Sequence, residues 1–420
     1  LNLLVQRIDE GFDMNTQVPA ISPTGAYDGP IFDCDSHVHE HDFDFFPEYL
    51  PKKYHEKWLL QRKVGPNGEF GLYIGDRRVH NAEANEDGLV PPPGKLKEWL
   101  RAMKEGKSNV EGWIKPTPEI YDRDARLAKL DAFGVEGAIL YPGEFIATVG
   151  YYDQDESGNA VLHAYNRYLD ERWKYNFQNR IYTAPLLSLW DLPTSIREAD
   201  ELIKKGARIV TMPMGPANDK SPADPYFDPI WSRLNEAGVI VAFHVSEAAF
   251  MHPLIRAFGE KPLQSRRTGQ TAWQWMFCYS EIPVQMTMAN IIYHNFFERF
   301  PNIKMISAEN GSNWVPGFLE KMDKMRGMAK NGYWPCGQLK ERPSHIFKRS
   351  CFVVAYPEDD VKGVAEKIGS ADCLVMGSDF PHAEGVPEPR DFYAQALTAL
   401  PPETARAVMY DNGRRLLPAR

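Results

Sequence analysis

From residue 30 onward, short apolar and β-branched runs alternate with stretches whose apolar residues recur at helical spacing. The runs predict eight strands, over residues 30–35, 135–141, 181–187, 207–212, 239–245, 303–308, 351–354 and 373–377. Between the first two, residues 124–134 space their apolar positions three and four apart and stop at Gly134, the residue type best suited to end a helix. Further amphipathic stretches separate the later strands. Strand–helix alternation repeated about eight times predicts an α/β chain closed as a (β/α)8 TIM barrel.

Two segments interrupt the alternation. Residues 51–122, rich in Pro, Gly and aromatic residues, lie between the first strand and its helix and predict an inserted cap or lid. Residues 252–280 form a second irregular stretch after the fifth strand. Both are expected at the C-terminal face, where barrels build their sites. The expected division is an N-terminal arm over residues 1–28 and a barrel over 29–420 that carries the cap.

Composition narrows the class. Hydrophobic residues at 43% and charged residues at 25% are ordinary for a globular chain and argue against disorder. A net charge of −9 without a basic cluster argues against nucleic acid and anionic membranes as partners. No apolar run is long enough to span a bilayer. Five cysteines, an odd number with no Cys-x-x-Cys, argue against a cysteine-zinc site and point to a reducing, cytoplasmic setting. The first residues carry acids and no cleavage pattern, so they read as an amphipathic arm and not a signal peptide.

Chemistry concentrates at the predicted strand ends. The stretch IFDCDSHVHEHDFDF, residues 31–45, ends the first strand in Asp35 and His37, with His39 and Glu40 just beyond. Asp33 and Cys34 belong to the strand itself, and His41, Asp42 and Asp44 are expected in solvent. The fifth strand ends in His244, the sixth in Glu309 and the eighth in Asp379, with His382 three residues on; His294 precedes the sixth strand. Each has an ordinary structural reading: a hydrogen-bonded strand-end histidine, a paired glutamate, a Gly-Ser-Asp turn. Their joint occurrence at four strand ends predicts a His/carboxylate metal site.

The order DxDSHVHE, FHV, ERFPNIKMISAENGSNWVPGFLEKMD, GSDFPHAEG and YDNGRRLL resembles the amidohydrolase superfamily, in its aminocarboxymuconate-semialdehyde decarboxylase-related branch. The likeness runs from residue 31 to 417. It implies metal ligands on the first, fifth and eighth strands, which fall here on Asp35 and His37, His244 and Asp379. Members carry either His-x-His or acid-x-His on the first strand; the acid-x-His pattern favours Asp35 over His39. In one respect the chain departs from the pattern. Glu309 stands where the well-known decarboxylases of the branch carry a histidine, and a carboxylate there is either a general base or a ligand to a second ion. Thr211, Met212 and Pro213 leave no lysine at the end of the fourth strand to bridge two metals.

Three functions follow. In the first, one Zn or Mn ion supports hydrolysis or non-oxidative decarboxylation of a small carboxylated or cyclic substrate, with Asp379, Glu309 and His382 as catalytic groups. In the second, Glu40, Glu309 and His294 help hold two Fe ions or a Mn/Fe pair that activate O₂ for hydroxylation. In the third, the barrel is a non-catalytic partner subunit. His39, Arg123 and Trp314, with Trp273 and Trp275, are candidate substrate contacts, and the resemblance implies a homodimer.

Overall fold

The computed structural model describes residues 27–418 except 41–42, 67, 80–84, 108–110, 247 and 262–269. The expected N-terminal arm, His41 and Asp42 therefore lie outside the described residues. Among the described residues there are twelve strands: β1 (Ile31–His37), β2 (Leu60–Val64), β3 (Phe70–Ile74), β4 (Arg77–Arg78), β5 (Val135–Tyr141), β6 (Asn176–Phe177), β7 (Ile181–Thr183), β8 (Ile209–Thr211), β9 (Ile240–His244), β10 (Met305–Ala308), β11 (Cys351–Val354) and β12 (Leu374–Val375). Eight of them correspond to the predicted runs.

Parallel pairing runs β1–β5–β7 in one sheet and β8–β9–β10–β11–β12 in another. Backbone hydrogen bonds join the sheets at both edges. Beyond β7, Thr211 N–H donates to Pro185 O at 2.8 Å and Leu187 N–H to Thr211 O at 3.0 Å. Beyond β12, Cys34 N–H donates to Met376 O at 3.0 Å, Asp379 N–H to Asp35 O at 2.7 Å and His37 N–H to Phe380 O at 2.8 Å. The eight strands thus close into a barrel. Strand β7 is shorter than its apolar run because Pro185 has no N–H to give the ladder. At the other junction Gly377 is required: a Cβ there would lie 2.4 Å from Asp35 Cβ and 2.5 Å from Val354 Cγ1.

Alternation along the strands sorts the core. Phe32, Ile139, Tyr182, Ile209, Ile306 and Val375 fill the barrel axis, while Ile31, Val210, Val241 and Val353 pack outward against helices. The first barrel helix, Arg123–Phe133, is capped by the Asp122 side chain, which accepts from Ala125 N–H at 2.8 Å, and ends at Gly134 with φ 68°. The inserted segment folds on itself: β2, β3 and β4 make an antiparallel sheet, followed by helix Leu96–Lys104. None of the five cysteines is in a disulfide. No helix among the described residues is long and apolar enough to cross a membrane.

Candidate metal centre

Strand β1 delivers two candidate ligands, Asp35 and His37, through a register fault. Asp33 pairs with Ala138 and Ser36 with Leu140, so β1 spends three residue steps where β5 spends two. Such a bulge re-aims side chains. Simple alternation would put Asp33 on the face of Asp35 and His37. Instead Cys34 packs inside the barrel, and the bulge returns Asp35 and His37 to the axis above it. Asp33 accepts hydrogen bonds from Ser378 Oγ, from Ser378 N–H at 2.9 Å and from Asp35 N–H at 3.2 Å. It thereby ties the bulge to the residue before Asp379. Arg126 holds the other side. Its buried guanidinium donates to Glu119 O at 2.6 Å, Ser36 Oγ at 3.0 Å and His37 O at 2.8 Å.

Asp35, His37 and His244 converge at the barrel mouth, all buried. His37 Nε2 lies 3.6 Å from Asp35 Oδ1 and 3.2 Å from His244 Nε2, and His244 Nε2 lies 3.5 Å from Asp35 Oδ1. Three atoms so spaced share a centre about 2.0 Å from each, the bond length of Zn²⁺ and similar ions to imidazole and carboxylate. Both rings are oriented by the backbone: His37 Nδ1–H donates to Pro142 O at 2.9 Å and His244 Nδ1–H to Val245 O at 2.8 Å. Unless one ring carries a proton, their Nε2 lone pairs face each other, which is repulsive without a metal ion between them. Asp35 Oδ1 is buried with no hydrogen-bond partner among the described residues. A lone carboxylate oxygen beside two inward lone pairs fits a divalent ion.

Three further groups complete the cluster. Asp379 Oδ1 is 3.3 Å from His37 Nε2, and Glu309 Oε2 is 3.3 Å from His244 Nε2. His382 Nδ1 bonds Asp379 Oδ1 at 2.8 Å. Glu309 and Asp379 hold φ values of 51° and 56°, a left-handed backbone that costs a non-glycine residue about 1–3 kcal/mol. Glu309 directly follows β10 and Asp379 lies four residues past the end of β12, and both aim into the site. Burial and the Asp379 carboxylate push the Glu309 carboxyl up to about 8. Burial and the neighbouring histidines His382 and His244 hold His37 well below the usual imidazole range. Burial disfavours a charged His382, but the Asp379 carboxylate outweighs it and raises this imidazole to about 10.

The structure does not bring two expected ligands into this cluster. Glu40 is buried, but its carboxylate accepts from Gly143 N–H at 3.0 Å, Glu144 N–H at 2.8 Å and the Tyr165 hydroxyl. It is the anchor of the loop after β5. His294 caps the C-terminus of helix Ile282–Tyr293 and bonds Asn290 O through Nδ1 at 2.7 Å. The helix before a barrel strand ends at the face opposite the site, so nearness in sequence to β10 does not bring His294 to the metal.

Of the expected substrate contacts, His39 lines the cavity in front of the cluster, whereas Arg123 and Trp314 do not. The Arg123 guanidinium lies 4.2 Å over the Phe177 ring. Trp314 donates to Gly311 O at 2.8 Å and packs on Phe318 and Phe347. Trp275 walls a second cavity, while Trp273 packs between Phe258 and Phe277. Asp44 is exposed, as expected. Sequence reasoning missed Arg126, Tyr165 and Ser378. Arg126 had left a signal: it shares the buried helix face of Leu130, four residues on.

Two adjoining cavities, of about 200 and 490 Å³, flank the cluster and share Glu309, Tyr279, Val245 and Glu384 as walls. The inserted segment and the stretch after β9 both contribute, through Trp99, Trp113 and Tyr279.

A closed barrel with a buried His/carboxylate cluster at its C-terminal mouth defines a metal-dependent enzyme of the amidohydrolase type. The chain belongs to the amidohydrolase family Amidohydro_2, whose model matches residues 124–419. Similar solved structures include amidohydrolase map2389c from Mycobacterium avium subsp. paratuberculosis K-10, 28% identical over 94% of this chain and 99% of that one, with a TM-score of 0.78. A dihydroxybenzoic acid decarboxylase from Polaromonas sp. JS666, with bound manganese and the inhibitor 2-nitroresorcinol, is 14% identical over 92% and 96% of the two chains, with a TM-score of 0.57. The 5-carboxyvanillate decarboxylase LigW from Sphingomonas paucimobilis is 21% identical over 71% and 84%, with a TM-score of 0.55. At these identities the two decarboxylases share the fold. No curated protein matches the chain.

Proposed function

We propose that this protein is a metal-dependent hydrolase in which Asp35, His37, His244 and Asp379 hold one divalent ion, Mn or Zn. The observation that carries the reading is the facing pair of Nε2 atoms, 3.2 Å apart, beside the partnerless Asp35 Oδ1. The separate placement of Glu40 and His294 favours one ion over the two that an oxygenase needs. A bound divalent ion acts as a Lewis acid on an oxygen and lowers the pKa of water.

The chain's own groups supply positioning and proton transfer. The Pro142 and Val245 carbonyls fix the two imidazole tautomers. Glu309, at the wall between the two cavities, accepts the proton that water gives up as its oxygen bonds to the substrate carbonyl carbon. It then returns that proton to the leaving oxygen or nitrogen as the old bond breaks. His382 holds Asp379 in place through the 2.8 Å bond.

The test is metal-analysed protein assayed against two panels, aryl esters, lactones and amides in one and aromatic carboxylic acids in the other. One ion per chain with turnover of the first panel is expected. Release of CO₂ from the second panel without hydrolysis of the first would overturn the hydrolase in favour of a decarboxylase. Two tightly bound irons with O₂ uptake would overturn it in favour of an oxygenase.

A further inference from the structure

One buried side chain behind the cluster touches every piece of chain that the cluster depends on. Arg126 lines neither cavity and is fully buried. It stands one turn into the first barrel helix, whose start Asp122 caps, so its stem leaves a rigid base. From there its guanidinium donates three hydrogen bonds to three separate places. Glu119 O lies in the turn Pro118–Ile120, which ends the inserted segment. Ser36 Oγ and His37 O belong to the bulged end of β1. Ser36 carries the connection onward: its hydroxyl donates to Phe380 O at 2.8 Å, the carbonyl that also accepts from His37 N–H at 2.8 Å. The guanidinium carbon itself lies 4.9 Å over the Phe380 ring. Phe380 directly follows Asp379.

The same pieces wall the smaller cavity, through His37, His39, Thr117, Ile120, Pro381 and His382. His39 N–H donates to Ile120 O at 2.8 Å, which closes the ring of contacts around Arg126. Three acceptors in three directions suit a planar guanidinium, whose N–H groups sit in a fixed fork; an ammonium on a flexible stem cannot meet them together. Burial lowers this guanidinium to about 10 while Asp33 and Glu119 act to raise it, so it keeps its charge at neutral pH. Taking a charge out of water is costly, and a buried charge is weak support for stability. What the fork does fix is position. His37 Nε2 has to come within 3.2 Å of His244 Nε2 and 3.3 Å of Asp379 Oδ1 at once.

We propose that Arg126 is a positioning residue for the metal centre, setting His37 against Asp379 and fastening both to the end of the inserted segment. Metal affinity then depends on a side chain that touches neither ion nor substrate. This rests on the ion assigned above to Asp35, His37, His244 and Asp379.

The experiment measures Mn²⁺ affinity in chelator-stripped protein, by competition with a chromophoric chelator, on variants shown to be folded by circular dichroism. Arg126→Lys keeps the charge and loses the fork. It is expected to weaken Mn²⁺ binding by about tenfold or more, the usual effect of removing a group that orients a ligand. Ser36→Ala cuts only the link to Phe380 and is expected to weaken it by about threefold, the worth of one hydrogen bond in the network. The control is Arg208→Lys, at a buried arginine that precedes β8 at the opposite face of the barrel and donates to Pro418 O at 3.0 Å. It is expected to lower Tm and leave Mn²⁺ affinity unchanged. The electron paramagnetic resonance spectrum of bound Mn²⁺ is expected to change in Arg126→Lys and not in Arg208→Lys. Wild-type affinity in folded Arg126→Lys, or in Ser36→Ala where Arg126→Lys does not fold, would overturn the proposal and leave the metal reading standing. An equal loss in Arg208→Lys would also overturn it, by assigning the effect to general loosening. A wild type that holds neither Mn²⁺ nor Zn²⁺ would remove the site itself, and both readings with it.

Discussion

His37 and His244 point their Nε2 atoms at each other across 3.2 Å while each gives its Nδ1 proton to a backbone carbonyl. Only a cation reconciles the two lone pairs, whether a proton on one ring or a metal between them. Asp35→Asn keeps the shape and removes the charge that completes the triad. It is expected to fold, by circular dichroism, and to hold less than about a tenth of the wild type's metal by elemental analysis. Stripping the wild type with a chelator is expected to lower Tm by several degrees, because an ion at about a thousand times its Kd stabilises by roughly 4 kcal/mol. Added Mn²⁺ should restore it. A Tm indifferent to the chelator would count against a built-in ion.

Substitution of Glu40 is expected to give the opposite result. Its carboxylate receives two backbone amides and the Tyr165 hydroxyl, and burial pushes its pKa up against them. Glu40→Ala strands the buried Gly143 N–H and Tyr165 hydroxyl, each costing about 1–3 kcal/mol, and the half-buried Glu144 N–H. A fall in Tm of several degrees is expected, with metal content unchanged at one per chain. Loss of an ion on this substitution would return Glu40 to the metal.

The barrel was legible because strand–helix alternation is written at the scale of single segments; all eight barrel strands fall within predicted runs or one to two residues of them. The convergence of the candidate ligands was legible for the same reason, since the fold brings every strand end to one mouth. The bulge between Asp33 and Ser36 was not, because it exists only in the pairing of β1 with β5. Glu40 looked like a ligand because it stands near His37 in the chain. What claims it arrives from residues 143, 144 and 165, more than a hundred positions away. His294 misled in the same manner: it is close to β10 in sequence and at the wrong end of the barrel.

Away from the site, His163 and Glu198 set a pH dependence of stability. The Nδ1–Oε2 distance is 2.6 Å across helices Glu156–Arg172 and Leu192–Lys204, and the Glu198 hydrogen bond raises the His163 pKa above 6.5. A raised imidazole pKa means that the folded state binds the proton more tightly. The contribution is therefore complete below the unfolded pKa of about 6.5 and disappears as pH rises through the folded value. His163→Gln is expected to lower Tm by on the order of 1 °C at pH 5.5 and not at all at pH 9.5, a small effect because the pair is partly exposed to solvent. Equal losses at both pH values would assign the effect to packing.

Glu309 separates catalysis from metal binding. Its backbone is held in the left-handed region, with its carbonyl accepting from the Tyr356 hydroxyl at 2.7 Å, so the side chain stays in the site whatever its charge. Burial and the Asp379 carboxylate both disfavour the ionised form, which suits this carboxyl to the proton transfer proposed for it near neutral pH. Glu309→Gln removes the proton exchange and leaves Asp35, His37, His244 and Asp379 untouched. The expected outcome is full metal content, a Tm equal to or above the wild type's because the like charge that Glu309 carries beside Asp379 when ionised is gone, and a kcat lower by about 10²–10⁴. An unchanged kcat would move the proton to the Asp379–His382 pair, and His382→Gln would then carry the loss.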